Sequence, residues 1–213
     1  MLEERREIRY NIPAGKPGEE SDPKEVGVRM TAARILCIIV LLLEVRGLSL
    51  SIANRKWKIL IFYTQLSNLA AAVSALLLVL LGEPAWVTAL RYLSTCMLIM
   101  TFLVTACVLV PMGGDPKTLL WSGSGLYHHV LCPIISSASY IFAEQHSGMI
   151  WLPVLVTLVY GLVMLYLNGI GKVDGPYPFF RVRHQSVGAT VLWMIVLIAV
   201  MTGISAGVRA IAG

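Results

Sequence analysis

Long apolar segments separated by short polar ones dominate the chain from about residue 30 to its end. Each segment has about 20 residues, which is the length that an α-helix needs to cross a bilayer. The pattern predicts six spanning helices, at about 30–53, 59–82, 86–110, 119–142, 150–171 and 187–208. We therefore expect an all-α, polytopic membrane protein in which residues 30–213 form a six-transmembrane-helix bundle.

The first 29 residues differ from the rest of the chain in composition. They mix Glu, Arg, Lys, Gly and Pro without apolar periodicity, and seven of the 12 acidic residues fall within the first 25 positions. Such a segment cannot bury enough apolar surface to fold alone. We expect residues 1–29 to be a charged, flexible tail, and their pattern is not that of a secretory signal.

Composition supports the membrane class: 57% of the 213 residues are hydrophobic, 14% are charged, and the mean hydropathy is +0.75. The net charge of +5 is ordinary for a membrane protein with basic loops, so no nucleic-acid partner is expected. The four cysteines lie in apolar segments without the spacing of a zinc site or a disulfide framework. They are expected to be buried thiols.

Six spans would place the loops after spans one, three and five on the same side of the membrane, and this side is basic. Its cationic residues are Arg55, Lys56, Lys58, Lys117, Lys172, Arg181 and Arg183. They would attract phospholipid headgroups or a fatty carboxylate, and basic loops are also commonly retained in the cytoplasm. Membrane lipids are thus the expected partners. The opposite side carries Glu83, Arg91 and Glu144, and the charged tail leaves the orientation open.

Polar side chains interrupt the start of the second span, in the run Ile61 to Asn68. Thr64, Ser67 and Asn68 share one helix face, while Gln65 points about 100° away. Polar groups within a span must face protein or water, because lipid offers them no hydrogen bonds. The run therefore indicates either a contact between helices or a functional site.

Further unusual residues lie at a similar depth from the basic side. They are Glu44 and Arg46 in the first span and His128 in the fourth, with Tyr177 in the loop before the last span. At 1.5 Å per residue, Glu44, Arg46, Thr64 and His128 lie roughly 8 to 14 Å from one surface, so a shared cavity is geometrically possible. Glu44 and Arg46 are each expected to meet a partner on another helix, because charges at this depth are costly alone.

Three short motifs together resemble the androgen-induced-gene family, which includes the androgen-dependent TFPI-regulating protein. They are Thr64 in a polar start to an early span, His128 five residues before Pro133, and the loop Tyr177-Pro178-Phe179. The family comprises multipass membrane hydrolases that cleave fatty acid esters of hydroxy fatty acids with a threonine nucleophile and a histidine. The resemblance covers about residue 59 to the end. It implies an ester hydrolase with Thr64 and His128 as catalytic residues, and a bacterial-type relative implies the bacterial plasma membrane.

The implied pair is chemically sensible. A neutral His128 imidazole can take the Thr64 hydroxyl proton during attack on an ester carbonyl and return it to the leaving alcohol. Asn68 or Gln65 can donate to the resulting oxyanion. Glu44 is a candidate to orient the histidine, and Arg46 or Arg181 to hold a substrate carboxylate. The full set of supporting or substrate-binding candidates is Gln65, Ser67, Asn68, Glu44, Arg46, Tyr177 and Arg181.

Other readings of these residues remain open. Cys132 shares a helix face with His128, although a packed thiol is the commoner state of such a cysteine. His128 and His129 point about 100° apart and no carboxylate cluster accompanies them, so no metal or cofactor is expected. The loop Tyr177 to Phe180 is equally an interfacial aromatic belt or a substrate lid.

Two other functions use the same residues. A membrane transporter or lipid-binding protein is the non-catalytic alternative, in which Glu44 and His128 would relay protons. The chain shows no convincing internal repeat, which favours the hydrolase. An acyltransferase with the same residues is the other alternative, because water and a lipid hydroxyl differ only as acyl acceptors.

Overall fold

The computed structural model describes residues 22–146 and 148–213 of the chain, and the regular structure within these ranges is helical. Its α-helices are α1 (Pro23–Arg55), α2 (Tyr63–Leu81), α3 (Ala85–Val104), α4 (Gly123–Leu126), α5 (Cys132–Ala138), α6 (Trp151–Gly169) and α7 (Val187–Ala212). The π-helical segments are Thr105–Leu109, Lys117–Trp121, Tyr127–Leu131 and Ser139–Glu144. Short 3₁₀ helices cover Lys56–Ile61, Pro178–Phe180 and Val182–His184.

Helix α1 begins at Pro23, seven residues before the predicted boundary at Met30. The Asp22 side chain accepts a hydrogen bond from the Lys24 N–H at 2.9 Å. Proline at the first helical position and Glu25 in the first turn also favour a helix start. This cap extends the helix into residues assigned to the tail, whose remaining part, residues 1–21, lies outside the described residues.

Five helices of the described chain are long and apolar enough to cross a membrane. They are Lys24–Ala53, Tyr63–Leu81, Ala85–Leu109, Trp151–Gly169 and Val187–Ala212. They match the predicted spans one, two, three, five and six in order. The chain is therefore a multi-pass, all-helical membrane protein.

The fourth predicted span is helical but does not belong to these five. Residues 123–144 form one continuous helical segment in which α-helical and π-helical turns alternate. Two histidines, several serines and Glu144 make this segment more polar than the others. It packs against α1 and α3, with His128 beside Gly47 of α1 and Glu144 bonded to Arg91 of α3.

A buried ion pair fixes residues 123–144 against α3. Arg91 Nη2 lies 2.6 Å from Glu144 Oε1, and Arg91 Nε contacts both carboxylate oxygens at 3.1 and 3.0 Å. Ser139 donates to Glu144 at 2.8 Å, and Ser136 accepts from Arg91 at 3.4 Å. Both charges, expected at the water-facing side, are instead fully enclosed, because each provides the partner that the other needs.

The cysteines were expected to be buried, and three of the four are. Cys37, Cys96 and Cys132 are buried free thiols, whereas Cys107 is exposed. Cys107 lies in the π-helical segment Thr105–Leu109 that continues α3, on the side turned away from the bundle. An apolar segment of a membrane protein also has a lipid-facing side, so burial inside the protein does not follow from hydropathy alone.

The Arg91–Glu144 pair generates a stability prediction. Glu144→Gln leaves the guanidinium buried without its carboxylate, and we expect it to lower the free energy of unfolding by about 3–5 kcal/mol. The Arg91→Met/Glu144→Leu double variant should lose less, since it buries no unpaired charge. Unfolding of the purified protein in detergent measures both.

Glu83→Gln is the matched control for this prediction. Glu83 is only partly buried and its partner is His146, at 3.1 Å. Its replacement should change stability much less than Glu144→Gln, because His146, unlike Arg91, carries no permanent charge that the exchange would leave unpaired. Equal losses in the two single variants would contradict the assigned importance of the Arg91 pair.

Candidate functional site

The Tyr-Pro-Phe loop docks into the bundle instead of lying on its surface. Tyr177, Phe179 and Phe180 are buried, and Phe179 stacks on Tyr177 with ring centroids 5.2 Å apart. Gln185 holds the loop by donating to the Phe179 carbonyl at 2.9 Å. Gly175 lies so close to the Phe180 backbone that a Cβ atom would approach it to 2.7 Å. The loop therefore packs as part of the helical core.

Thr64 lies in the first turn of α2, where the docked loop meets the helix. Its hydroxyl and its N–H each lie 3.2 Å from the Tyr177 hydroxyl, and Tyr160 accepts from the Tyr63 N–H at 3.0 Å. The first N–H groups of a helix have no partner within the helix. The two phenols provide these partners, and Tyr177 thereby comes into contact with the candidate nucleophile.

Ser67 and Asn68 support the same turn of α2. Both side chains donate to the Thr64 carbonyl, at 2.9 and 2.6 Å. Ser67 also bonds Thr101 of α3 at 3.0 Å. The Asn68 amide nitrogen is therefore engaged in holding the helix, which removes one of its two donors from the candidate oxyanion role.

A mostly apolar cavity opens beside Thr64, between α2, α3, α6, α7 and the docked loop. It is partly open to the outside, and the space free of protein atoms is about 490 Å³ when the open solvent at its mouth is included. Its apolar wall includes Met100, Val104, Phe180, Met194, Leu197 and Ile198. The hydroxyl-bearing residues that line it are Tyr63, Thr64, Thr101, Thr105, Thr157, Tyr160 and Tyr177. An apolar space with a few hydroxyls suits an acyl chain that carries a polar group.

His128 lies on another side of α2, in a second polar group that we call the Glu44–His128 cluster: Glu44, Ser51, Gln65, His128 and Cys132. His128 Nδ1 lies 3.1 Å from Gln65 Nε2, which also bonds the Ser51 hydroxyl at 3.4 Å. His128 Nε2 lies 3.9 Å from Glu44 Oε2, and the Cys132 thiol is close to the same carboxyl. All five side chains are buried.

The structure thus places the two predicted catalytic residues in different environments. Among the described residues, no hydrogen bond joins Thr64 to His128. Thr64 faces the cavity and Tyr177, whereas Gln65, the next residue, points about 100° away and bonds the imidazole. Arg46 and Arg181 are exposed and do not line the cavity. Arg46 is two residues from Glu44, about 200° around α1, so it faces outward when Glu44 faces inward.

Several buried polar atoms of this region have no hydrogen-bond partner among the described residues. They are both carboxyl oxygens of Glu44, Gln65 Oε1, Asn68 Oδ1 and His128 Nε2. A buried polar atom without a partner typically costs about 1–3 kcal/mol, so such atoms are rare in folded proteins. Their concentration around the Glu44–His128 cluster distinguishes it from an ordinary contact between helices.

The two histidines do not share a site. His129 turns away from His128 and bonds the Leu119 carbonyl through Nδ1 at 2.6 Å. Within residues 22–146 and 148–213, no group of three or more His, Cys, Asp or Glu side chains is placed to hold a metal ion.

The cavity also contains functional groups that the sequence reading missed. Thr101 and Thr105 are four residues apart, and Thr157 and Tyr160 are three apart, so each pair shares a helix face. Tyr63 and Thr157 bond each other at 2.8 Å. This spacing within two apolar spans was the signal available in the sequence, although it cannot say which helices face each other.

Tyr177 is a neutral phenol at physiological pH. Burial raises its pKa, while the hydrogen bonds with Thr64 act in the opposite direction and only reduce the shift. Because the pKa of an exposed tyrosine is already about 10, the Tyr177 hydroxyl keeps its proton at neutral pH. It can therefore donate a hydrogen bond toward the space beside Thr64.

A substitution at Gly47 tests how closely α1 approaches the His128 imidazole. A Cβ atom at Gly47 would lie 2.5 Å from His128 Nε2, whereas one at Gly27 of the same helix would meet nothing within 4 Å. We expect Gly47→Ala to lower the unfolding free energy by about 1–3 kcal/mol through overpacking. Gly27→Ala should be neutral or stabilising, since alanine is the better helix former.

Thermal or denaturant unfolding in detergent compares the two variants. A Gly47→Ala protein as stable as the Gly27→Ala protein would show that His128 does not pack against α1 as described.

The comparisons with known proteins add no relative. No protein-family model, curated protein or solved structure matches the chain. The likeness to the androgen-induced-gene family therefore depends on the Thr64, His128 and Tyr177 motifs alone. What the site can do follows from its own geometry: a buried hydroxyl facing an apolar cavity, and a buried imidazole held beside a carboxyl.

Proposed function

We propose that this chain is a membrane-embedded ester hydrolase of the androgen-induced-gene type, acting on fatty acid esters of hydroxy fatty acids or similar acyl esters. Thr64 is the nucleophile and His128 is the base. The observation that carries the proposal is the position of Thr64, a residue that is nine-tenths buried and lines a largely apolar cavity.

The cavity explains how a lipid ester would meet Thr64. Its apolar side chains can bury an acyl chain and exclude water from it, at roughly 25 cal/mol for each Å² removed from water. The ester carbonyl would then lie beside Thr64 and Tyr177, which both line the cavity. A nucleophile must approach the carbonyl carbon to about 3–3.5 Å, which this position favours.

The docked tyrosine has a role in this chemistry. Tyr177 already contacts the Thr64 hydroxyl and carries a proton, so it can donate to the oxyanion that forms when the carbonyl is attacked. The substrate carbonyl would replace Thr64 as its hydrogen-bond partner. That exchange frees the Thr64 hydroxyl to give its proton to a base.

His128 needs a side-chain movement to act as that base. Gln65, the residue that follows Thr64, holds its Nδ1 atom at 3.1 Å. Release of this bond would free the imidazole to turn from Gln65 toward the Thr64 hydroxyl in the same turn of α2. Hydrogen bonds of catalytic groups are often absent or long in the free enzyme and form in the complex with substrate.

The proposal also covers a sixth membrane crossing by residues 123–144, which is the fourth predicted span, and the cellular location. At about 1.5 Å per residue, residues 123–144 extend for roughly 33 Å, which is enough to cross the hydrocarbon core. Packing of this segment against α1 and α3 supports the crossing, because it shields the polar groups from lipid. A bacterial plasma membrane is the proposed location.

A second candidate function is non-catalytic binding or transport of an acyl lipid. The separation of Thr64 from His128 favours it, since a cavity that only binds a chain needs no base beside its hydroxyl. The closeness of Glu44 to His128 also suits a proton relay. An acyltransferase would keep the hydrolase residues and replace water by a lipid hydroxyl.

The decisive variants are Thr64→Ala, Thr64→Ser and His128→Ala. We expect a fluorophosphonate probe to label Thr64 in the purified protein, and Thr64→Ala to abolish both labelling and acyl-ester hydrolysis. Thr64→Ser should keep measurable activity, because it retains the hydroxyl. His128→Ala should lower hydrolysis by about 10²–10⁴-fold through loss of the base.

Thr202→Ala is the matched control, since the Thr202 hydroxyl bonds the Ile198 carbonyl within α7. It should leave labelling and hydrolysis unchanged. Full esterase activity of Thr64→Ala would disprove the nucleophile. Binding of a fluorescent fatty-acyl ester by a wild-type protein that shows neither labelling nor hydrolysis would favour the second candidate.

The proposed oxyanion role of the docked loop gives a separate prediction. Tyr177→Phe keeps the ring packing but removes the donor, and we expect kcat for acyl-ester hydrolysis to fall by about 10²-fold with little change in KM. Tyr166→Phe, at an exposed position of α6, is the control. An unchanged kcat, or a loss confined to KM, would exclude the oxyanion role.

A further inference from the structure

The Glu44–His128 cluster contains more unpaired hydrogen-bonding capacity than any packing role requires. Glu44 is completely buried in α1, and among the described residues neither of its oxygens forms a hydrogen bond, although the Cys132 thiol lies close to the carboxyl. His128 Nε2 and Gln65 Oε1 are buried and unpaired as well. In contrast, the buried carboxylate of Glu144 receives bonds from Arg91 and Ser139.

An ionised Glu44 has no adequate counter-charge in this position. No lysine or arginine forms an ion pair with it in the described part of the chain, and its nearest ionisable neighbours are His128 and Cys132. From α2, the neutral Gln65 side chain contacts His128, and the neighbouring His129 bonds the Leu119 carbonyl. A lone buried carboxylate inside a membrane is strongly disfavoured, so it takes up a proton or a cation.

The hydrogen-bonding pattern favours a proton. The amide oxygen and nitrogen of Gln65 exchange places by a half-turn of the side chain. After this exchange, His128 Nδ1–H donates to Gln65 Oε1, and Nε2 becomes an acceptor that points toward Glu44. A protonated Glu44 then donates to Nε2 once the present 3.9 Å separation closes by about 1 Å, to the usual hydrogen-bond length.

We propose that Glu44, His128 and Gln65 form a proton-binding site inside the membrane, in which the Glu44 carboxyl holds one exchangeable proton and donates it to His128 Nε2. This arrangement gives partners to Gln65 Oε1, His128 Nε2 and one Glu44 oxygen, and it moves the Gln65 Nε2 amide into the position where Oε1 now has no partner. It requires neither a metal ion nor a bound lipid. The inference is independent of the proposed hydrolase, because a carrier or a binding protein with these residues would hold the same proton.

Infrared spectroscopy of the full chain in lipid or detergent tests the site directly. A protonated buried carboxyl gives a C=O band that an ionised carboxylate lacks. We expect this band at pH 7, where glutamates exposed to water are ionised because their pKa is about 4.3. The band should shift in D₂O, disappear in Glu44→Gln and persist in the matched control Glu83→Gln.

Nitrogen NMR of labelled histidine tests the other half of the site. We expect a neutral His128 with its proton on Nδ1. In Gln65→Leu, we expect the proton to lie on Nε2 instead or to exchange between the two nitrogens. Glu44→Gln should keep the wild-type thermal midpoint, since an uncharged glutamine replaces an uncharged carboxyl. An unchanged midpoint would show that this variant is folded, so that loss of its infrared band reports the missing carboxyl.

Two results would overturn the proposal. The first is a carboxyl band that is absent at pH 7 in the folded wild-type protein or that survives in Glu44→Gln. The second is a doubly protonated His128 at pH 7, which would place the proton on the imidazole and leave Glu44 ionised.

Discussion

A charged or polar side chain inside a bilayer finds no water, so the protein itself must provide its partner. The Arg91–Glu144 pair is where this requirement is fully met, with Ser136 and Ser139 completing the bonds. The pair fixes one end of residues 123–144 against α3. The position of residues 123–144 then determines how the His128 end of this segment packs against α1. The candidate site therefore depends on a salt bridge at the far side of the bundle.

The two ends of residues 123–144 differ in how well their polar groups are satisfied. At the Glu144 end, guanidinium and hydroxyl donors meet the carboxylate, and such a complete network mainly gives rigidity. At the His128 end, carboxyl, imidazole and amide atoms remain without partners. Because a structural contact gains nothing from unpaired buried atoms, the incomplete end is where exchange of a proton is physically reasonable.

The sequence was enough to predict the membrane class, five of the spans and the polar start of α2, because these follow from local hydropathy. It also indicated that the loop with Tyr177 shares a side with Thr64. It could not indicate that Tyr177 bonds Thr64 or that His128 bonds Gln65, since both contacts depend on helix adjacency and rotation. The π-helical turns in residues 123–144 change that rotation, and hydrophobic periodicity does not reveal them.

Adjacent positions of α2 connect the two parts of the site. Thr64 lines the apolar cavity and Gln65 contacts the Glu44–His128 cluster, so one turn of α2 borders both the proposed lipid site and the proposed proton site. The bond between Gln65 and His128 and the contact between Tyr177 and the Thr64 hydroxyl both lie in the first turn of α2. The same short segment thus connects the proposed proton site with the proposed acyl-chain cavity, whether the chain would be cleaved or only carried. Turnover at Thr64 separates these two cases, whereas the proton at Glu44 is common to both.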